Sequence, residues 1–288
     1  MISFIALLSI SASPGPLSVD RDGRAQAIGY RLQTASAMLC PAPAPQPDFF
    51  LQGETSNKVS EVIAGSPADQ SGLKRDDVII AVDDHQVSSE QVASALDAAF
   101  TGHALDLRLG DGRRVHFAIE QGCGFGISVV EGHALDAWAD GQAVALTAAM
   151  VDFVHSDDEL ALIIAHELSH NILRHRRLLD AQHVHRGLLA AFGDSAGLIR
   201  RTEEAADVEA LYLLARAGYD YHQAPAFWQR FGDRTGAGVF SDGTHPRTRA
   251  RVELARQTVA QIDALIAKEL PIVPPSAAAA PSQTEKSR

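Results

Sequence analysis

Two histidines and a glutamate in the middle of the chain have a spacing that suits metal-assisted hydrolysis. His166 and His170 are four residues apart, so on a helix their side chains project from one face and both can reach a single ion. Glu167 lies on the adjoining face, where a carboxylate can approach a reacting water without being a ligand itself. The run therefore predicts a zinc site, one ion per chain, with Glu167 as the general base.

A helix start lies about three to four turns before these residues. Ser156 and Glu159 form a capping box, in which the serine side chain accepts from the Glu159 amide while the glutamate reaches back toward the cap. The apolar face expected to bury this helix consists of Leu160, Ile163, Ile164, Leu168 and Ile172. Local sequence thus predicts one buried helix that carries both histidines.

Two histidines leave a catalytic zinc site incomplete, because such a site normally has three protein ligands. The next candidates stand in a glutamate-rich helical stretch further along the chain. Glu203 and Asp207 are four residues apart and share a helix face. One of them can bind the ion while the other hydrogen-bonds a ligand imidazole. Glu204 is the rival ligand.

A third segment carries a histidine and an arginine near a proline. Pro246 disfavours helix at His245 and favours a helix start just behind it. His245 is therefore expected to point from a loop toward the metal, where a donor would stabilise the oxyanion of a tetrahedral intermediate. Arg251 is expected to support His245 or to hold a carboxylate.

The first half of the chain shows short strands, one helix and a period-two hairpin across residues 110–112. Four runs carry its resemblance to a bacterial PDZ domain: Val62-Ile63-Ala64-Gly65-Ser66-Pro67-Ala68, Gly72-Leu73, Asp77-Val78-Ile79 and Val82-Asp83-Asp84. Asp76 stands where that family usually has glycine. The resemblance implies a small domain that adds a peptide as an extra strand, with a spacer that binds nothing as the alternative.

The motifs of the second half together resemble the M48 family of zinc metallopeptidases. They are Asp136-Ala137-Trp138-Ala139-Asp140-Gly141, Asp158-Glu159-Leu160, His166-Glu167-Leu168-Ser169-His170 with His175 behind it, Glu203-Glu204-Ala205-Ala206-Asp207, and His245-Pro246 with Thr248 and Arg251. The resemblance implies zinc on His166, His170 and Glu203. It also implies Glu167 as base, Asp207 behind a histidine, and His245 with Arg251 as a downstream polar pair.

These observations predict an α+β protein, in which a small mixed α/β PDZ-like domain is followed by a mainly helical zincin-type metallopeptidase domain with a short sheet. The predicted divisions are a signal or apolar segment at 1–20, an amphipathic helix (24–39) and proline-rich connector within 21–47, a PDZ-like domain at 48–120, a peptidase domain at 121–270 and a disordered tail at 271–288. An extended substrate is expected beside a strand at 142–146.

Composition limits the partners and the compartment. The chain has 288 residues, 46% of them hydrophobic, and a net charge of -11 with no basic cluster, which argues for a globular protein that does not bind nucleic acid. The apolar start followed by small residues is typical of a secretory signal and is too short to span a membrane. The protein is therefore expected to be exported, either in the periplasm or associated with the membrane on its extracytoplasmic side. Cys40 and Cys123 either pair there or remain unrelated thiols.

The expected function is a zinc-dependent endopeptidase that cleaves exported or misfolded polypeptides. Two other classes remain open: a non-catalytic PDZ adaptor with a structural zinc site, and a hydrolase of a non-peptide amide. The sequence leaves the substrate, the cleavage specificity and the oligomeric state undetermined.

Overall fold

The computed structural model describes residues 16–53, 55–101, 103–182, 184, 194–235 and 248–278. It forms two compact units, Met1–Gly124 and Phe125–Arg288. The predicted domain boundary lies four residues earlier, between 120 and 121. Residues 121 and 122 form a strand within the first unit, which is why the division falls after Gly124. Small sheets and many helices follow one another along the chain, so the α+β prediction is confirmed.

The first unit contains three small sheets, with strand orders β1-β8, β2-β3 and β5-β4-β6-β7. Its elements in chain order are α1 (Pro16–Ala35), a 3-10 turn (Ala37–Leu39), β1 (Ala44–Pro45), β2 (Phe49–Leu51), β3 (Val59–Val62), α2 (Pro67–Gln70), β4 (Ile79–Val82), β5 (His85–Gln86), α3 (Val92–Ala99), β6 (Ala104–Leu109), β7 (Arg114–Ala118) and β8 (Gln121–Gly122).

Local rules explain much of this unit. Leu107 pairs with Val115 in the predicted hairpin, and both side chains enter a core that also contains Phe49 and Leu96. Asp76, at the position where glycine is usual, has a φ of 71°, so this turn needs the left-handed conformation that aspartate tolerates better than most residues.

The N-terminal helix differs from its prediction. It begins at Pro16 rather than Arg24 and ends at Ala35, with the last predicted turn replaced by a 3-10 turn. The described part of this helix therefore includes residues of the segment assigned to a signal; residues 1–15 of that segment lie outside the described residues. A disulfide joins Cys40, just after the 3-10 turn, to Cys123, just after β8.

The second unit places a three-stranded sheet, of order β10-β11-β9, ahead of its helices. Strand β11 pairs antiparallel with β10 and parallel with β9. The elements in chain order are β9 (Gly126–Val130), β10 (Ala137–Ala139), β11 (Ala143–Thr147), α4 (Ala148–Phe153), α5 (Asp157–Ile172), α6 (His175–Ala181), α7 (Asp194–Ala217), a 3-10 turn (Tyr221–Gln223), α8 (Ala224–Thr235), α9 (Thr248–Ala267) and α10 (Pro275–Ala278).

The helix that carries the two histidines starts where the capping box predicts. Ser156 Oγ accepts from the Glu159 amide at 3.2 Å. Glu159 reaches back one residue further than predicted, because its Oε2 accepts from the amide of His155 at 2.6 Å. Arg230 of α8 donates to both carboxylate oxygens of Glu159, at 2.8 and 2.6 Å. The N-terminus of α5 is thereby fixed to a neighbouring helix.

The C-terminal segment is ordered further than predicted. Residues 271–278, assigned to a disordered tail, include α10 and a buried Pro274. Arg216 Nη1 donates to the carbonyl oxygen of Ile272 at 3.0 Å, and Ser276 donates to the buried Glu209. These contacts tie the segment to α7. Residues 279–288 lie outside the described part of the chain.

No helix in the described ranges combines the length and the apolar character needed to cross a bilayer.

Candidate metal centre

Helix α5 brings two imidazoles together on one face. His166 and His170 lie one turn apart, and their Nε2 atoms are 3.3 Å from each other. His166 is buried, and the side chain of His170 is 17% exposed. Most residues of α5 are buried, and helix α7 packs against it.

Helix α7 supplies a carboxylate to this pair. Glu203 Oε2 lies 3.4 Å from Nε2 of His166, and Glu203 Oε1 lies 3.5 Å from Nε2 of His170. Zinc bonds to nitrogen and oxygen of about 2.0–2.1 Å in a tetrahedral site put neighbouring ligand atoms about 3.3–3.4 Å apart. The separations and the donor types of His166, His170 and Glu203 therefore fit a zinc ion, and the three residues could hold one. Glu204 is exposed and lies outside this group.

Asp207 and Arg251 stand behind the first histidine. Asp207 Oδ1 lies 2.9 Å from Nδ1 of His166, and the guanidinium of Arg251 donates to both oxygens of Asp207, with contacts of 2.6–2.9 Å. All three side chains are buried. Burial alone would raise the pKa of Asp207, but the charge of Arg251 and the hydrogen bonds from His166 and Arg251 hold it below its ordinary value. An ionised Asp207 favours the proton on Nδ1 of His166, which leaves Nε2 to face the ion.

The carboxylates of Asp207 and Glu203 favour a positive charge on or beside the ring of His166. Burial and the charge of Arg251 act to lower the pKa of His166, yet hydrogen bonds with Asp207 and Glu203 raise it to about 9. A site that attracts a proton so strongly also attracts a cation, since both neutralise the same pair of carboxylates.

Of the two other site residues predicted from the sequence, Glu167 and His245, the structure describes only Glu167. Glu167 is buried on α5 between the two histidines, as its position in the helix requires. His245 lies outside the described residues, so its predicted place beside the metal stays a prediction.

Two further residues near the site, His175 and Trp228, make contacts that the sequence does not reveal. His175, which begins α6, places its Nδ1 atom 3.1 Å from Nδ1 of His170, and burial lowers the pKa of His175 to about 4, so its ring is neutral. Trp228 of α8 lies beneath Arg251, whose Cζ atom is 3.2 Å from the centroid of the aromatic ring. The sequence shows that His175 follows the histidine motif and that Trp228 lies on an apolar helix face, but the second pattern is typical of any core residue.

Asn171 fastens the metal helix to the sheet. Its Nδ2 donates to the carbonyl oxygen of Ala143 at 3.0 Å, and its Oδ1 accepts from the amide of Gly141 at 2.7 Å. Gly141 lies in the turn between β10 and β11, and Ala143 is the first residue of β11. The side chain therefore fixes this hairpin relative to the histidine that precedes it, His170.

The predicted substrate strand is wrong in one respect. Strand β11 contains residues 143–147 and is the central strand of its sheet, since it pairs with β10 on one side and β9 on the other. An extended peptide cannot pair with a strand whose two edges are already used. Within the described residues the outer strands of this sheet are β10 and β9.

Comparison with known proteins finds two family models that match successive segments of the chain. A model of the PDZ domain matches residues 58–104, and a model of peptidase family M48 matches residues 113–196. No curated protein matches the chain. The chain therefore carries a PDZ domain followed by an M48 peptidase domain, and the M48 match supports a metallopeptidase role, that of a protease and hence a hydrolase. The M48 match includes α5 with both histidines and ends before Glu203, so the third donor and Asp207 rest on the geometry of α7.

Proposed function

We propose that this protein is a zinc-dependent endopeptidase that hydrolyses peptide bonds of exported or misfolded proteins. The observation that carries the proposal is the meeting of His166, His170 and Glu203, with donor separations of 3.3–3.5 Å, on the helices of an M48 peptidase domain. A zinc ion held there would supply Lewis acidity, polarising a scissile carbonyl and lowering the pKa of water.

The protein's own side chains would transfer the proton, orient a metal ligand and stabilise the oxyanion. Glu167 takes a proton from the attacking water and passes it to the nitrogen of the leaving amine. Asp207 holds His166 in one tautomer and orientation, and Arg251 keeps Asp207 ionised by hydrogen-bonding both of its oxygens. His245 donates to the oxyanion of the tetrahedral intermediate.

The substrate is proposed to pair with β10, an outer strand of the peptidase sheet. Two observations support this choice. Trp138, in the middle of β10, is 43% exposed, which offers an apolar surface to a neighbouring peptide chain. Asn171 also links the turn after β10 to the metal helix, so a peptide on β10 would keep a fixed register to the ion. The PDZ domain is proposed to engage the same polypeptide substrates.

Export to the periplasm remains a proposal, supported by the disulfide between Cys40 and Cys123. Disulfides persist in oxidising compartments and are rare in the cytosol.

The test compares the wild-type protein with Glu167→Gln on a denatured protein substrate, with and without a chelator, and maps the cuts by mass spectrometry. We expect chelator-sensitive internal cuts by the wild-type protein. Glu167→Gln should lower kcat about 10²- to 10⁴-fold and leave zinc content near one ion per chain, because it removes the base and no ligand. The exposed Glu204→Gln is the matched control and should cleave normally.

Each contrary result has a separate meaning. Unchanged cleavage by Glu167→Gln would refute the role of the base. Cutting that resists the chelator would refute the metal. Zinc binding by the wild-type protein without any cleavage would favour the non-catalytic adaptor.

A further inference from the structure

The two histidines of the proposed metal site are supported by different chemical groups. His166 has the carboxylate of Asp207 at its Nδ1 atom, whereas His170 has the imidazole of His175 there, with a distance of 3.1 Å between the two Nδ1 atoms. The rings of His170 and His175 are nearly perpendicular, with centroids 4.9 Å apart. Two nitrogens at this distance form a hydrogen bond only when one carries a proton and the other presents a lone pair.

The backbone between these histidines takes an unusual conformation to bring His175 back to the site. Helix α5 ends at Ile172, and Arg174 then adopts the left-handed conformation, with φ 54° and ψ 37°. A residue other than glycine pays about 1–2 kcal/mol for this conformation. The next residue, His175, begins α6 and is buried. The reversal at Arg174 thus turns the chain so that a buried imidazole faces His170.

A second contact holds the start of α6 in place. Arg176 Nη1 donates to the carbonyl oxygen of Asp140, in the turn between β10 and β11, at 2.8 Å. Asn171 reaches the same turn from the end of α5. His175 therefore lies between two anchored residues, so the orientation of its ring is set by the surrounding fold.

We infer that His175 is a positioning residue for the second metal ligand, His170. A histidine that gives Nε2 to an ion carries its proton on Nδ1. That proton is donated to Nδ1 of His175, which must then carry its own proton on Nε2. His175 thereby fixes the tautomer and the ring orientation of His170, as Asp207 does for His166, but without adding a negative charge. The inference rests on the proposed zinc site.

The test uses two substitutions that separate acceptance of the hydrogen bond from the filling of space. His175→Phe keeps a ring of similar size and removes the acceptor. His175→Asn keeps an acceptor oxygen the same number of bonds from the backbone as Nδ1. Zinc dissociation constants are measured by competition with a chromophoric chelator, and thermal unfolding of the metal-free proteins reports whether each variant folds.

We expect His175→Phe to weaken zinc binding about 10- to 100-fold, and His175→Asn to stay within about threefold of the wild-type protein. Equal affinity in the phenylalanine variant, or equal losses in both variants, would overturn the inference. Failure of the wild-type protein to take up zinc would overturn the metal site itself and this inference with it, a result distinct from the first two.

A measurement on the unsubstituted protein covers the case in which His175→Phe fails to fold. In zinc-loaded protein labelled with ¹⁵N-histidine, the long-range correlations of the imidazoles report which nitrogen carries the proton. We expect His175 protonated on Nε2 and His170 protonated on Nδ1. A proton on Nδ1 of His175 would exclude its role as acceptor and overturn the inference.

Discussion

The Nδ1 atom of His166 lies 2.9 Å from Oδ1 of Asp207, and both side chains are almost wholly buried. The two residues come from α5 and α7, and Arg251 of α9 closes the group by donating to the same carboxylate. One carboxylate therefore joins three helices at the proposed metal site. Because water is excluded, removing any one of these three side chains would leave a buried polar or charged group without its partner. We expect such a change to destabilise the folded protein strongly.

The first prediction concerns Asp207→Asn, which removes the negative charge of this group and little of its volume. We expect zinc affinity to fall about 10- to 100-fold, because His166 loses the partner that fixes its tautomer. We also expect the free energy of unfolding of the metal-free protein to fall by about 3 kcal/mol, because Arg251 stays buried opposite a neutral amide. Chelator competition and urea unfolding measure the two effects.

The control for this prediction is Asp152→Asn, which neutralises an exposed carboxylate on α4. It should change neither zinc affinity nor stability by a comparable amount. Zinc affinity in Asp207→Asn equal to that of the wild-type protein would contradict the supporting role of Asp207.

Features that depend on neighbours in the sequence were predictable. The capping box at Ser156 and the four-residue spacing of His166 and His170 follow from helix geometry alone, and the structure has the helix and the pair where these rules put them. The hairpin of β6 and β7 follows in the same way from alternating apolar residues around a glycine-containing turn.

Features that depend on packing were not predictable. Glu203 and Glu204 are adjacent acids of the same type, and only the packing of α7 against α5 shows which one reaches the histidines. The central position of β11 depends on a parallel pairing with residues 126–130, which alternation within residues 142–146 does not encode. Trp228 is an aromatic residue on an apolar helix face, and its contact with Arg251 depends on two helices that are distant in sequence.

The second prediction concerns the disulfide between Cys40 and Cys123, which are 83 residues apart in sequence. A cross-link that closes a loop of this length is expected to stabilise by about 4 kcal/mol, mainly by restricting the unfolded chain. Reduction should therefore lower the hydrogen-exchange protection of core amides in β6 and β7 by about 10³-fold, where exchange follows global unfolding of the first unit. Exchange measured by mass spectrometry with and without reductant tests this.

The matched variant for the disulfide is the double substitution Cys40→Ser and Cys123→Ser. Its β6 and β7 amides should have the lower hydrogen-exchange protection both with and without reductant. A wild-type protein whose β6 and β7 amides keep their protection after complete reduction would refute the prediction.

The third prediction concerns Asp48, a carboxyl that is 2% exposed just before β2. Its Oδ2 accepts from the amide of Ala68 at 3.0 Å, while its Oδ1 has no hydrogen-bond partner among the described residues. Burial raises the pKa of Asp48 from 3.8 to about 7, with a smaller contribution from the charge of Glu120 and opposition from backbone hydrogen bonds. The folded protein therefore holds a proton on Asp48 through a pH range in which the unfolded chain has lost it.

The sign of the resulting pH dependence follows from that difference. Below about pH 3 both states are protonated and Asp48 contributes no pH dependence. Between about pH 4 and 7 the unfolded chain ionises first, so the free energy of unfolding falls as the pH rises, by on the order of a few kcal/mol in total. Asp48→Asn, a neutral analogue of the protonated acid, should match the wild-type protein near pH 4 and exceed its stability at pH 8. Urea unfolding followed by circular dichroism from pH 4 to 8 measures the difference, and Asp97→Asn, on an exposed carboxylate of α3, should lack it. A gap between wild-type protein and Asp48→Asn that stays constant across this range would show that Asp48 is ionised in the folded protein and that its burial does not raise its pKa.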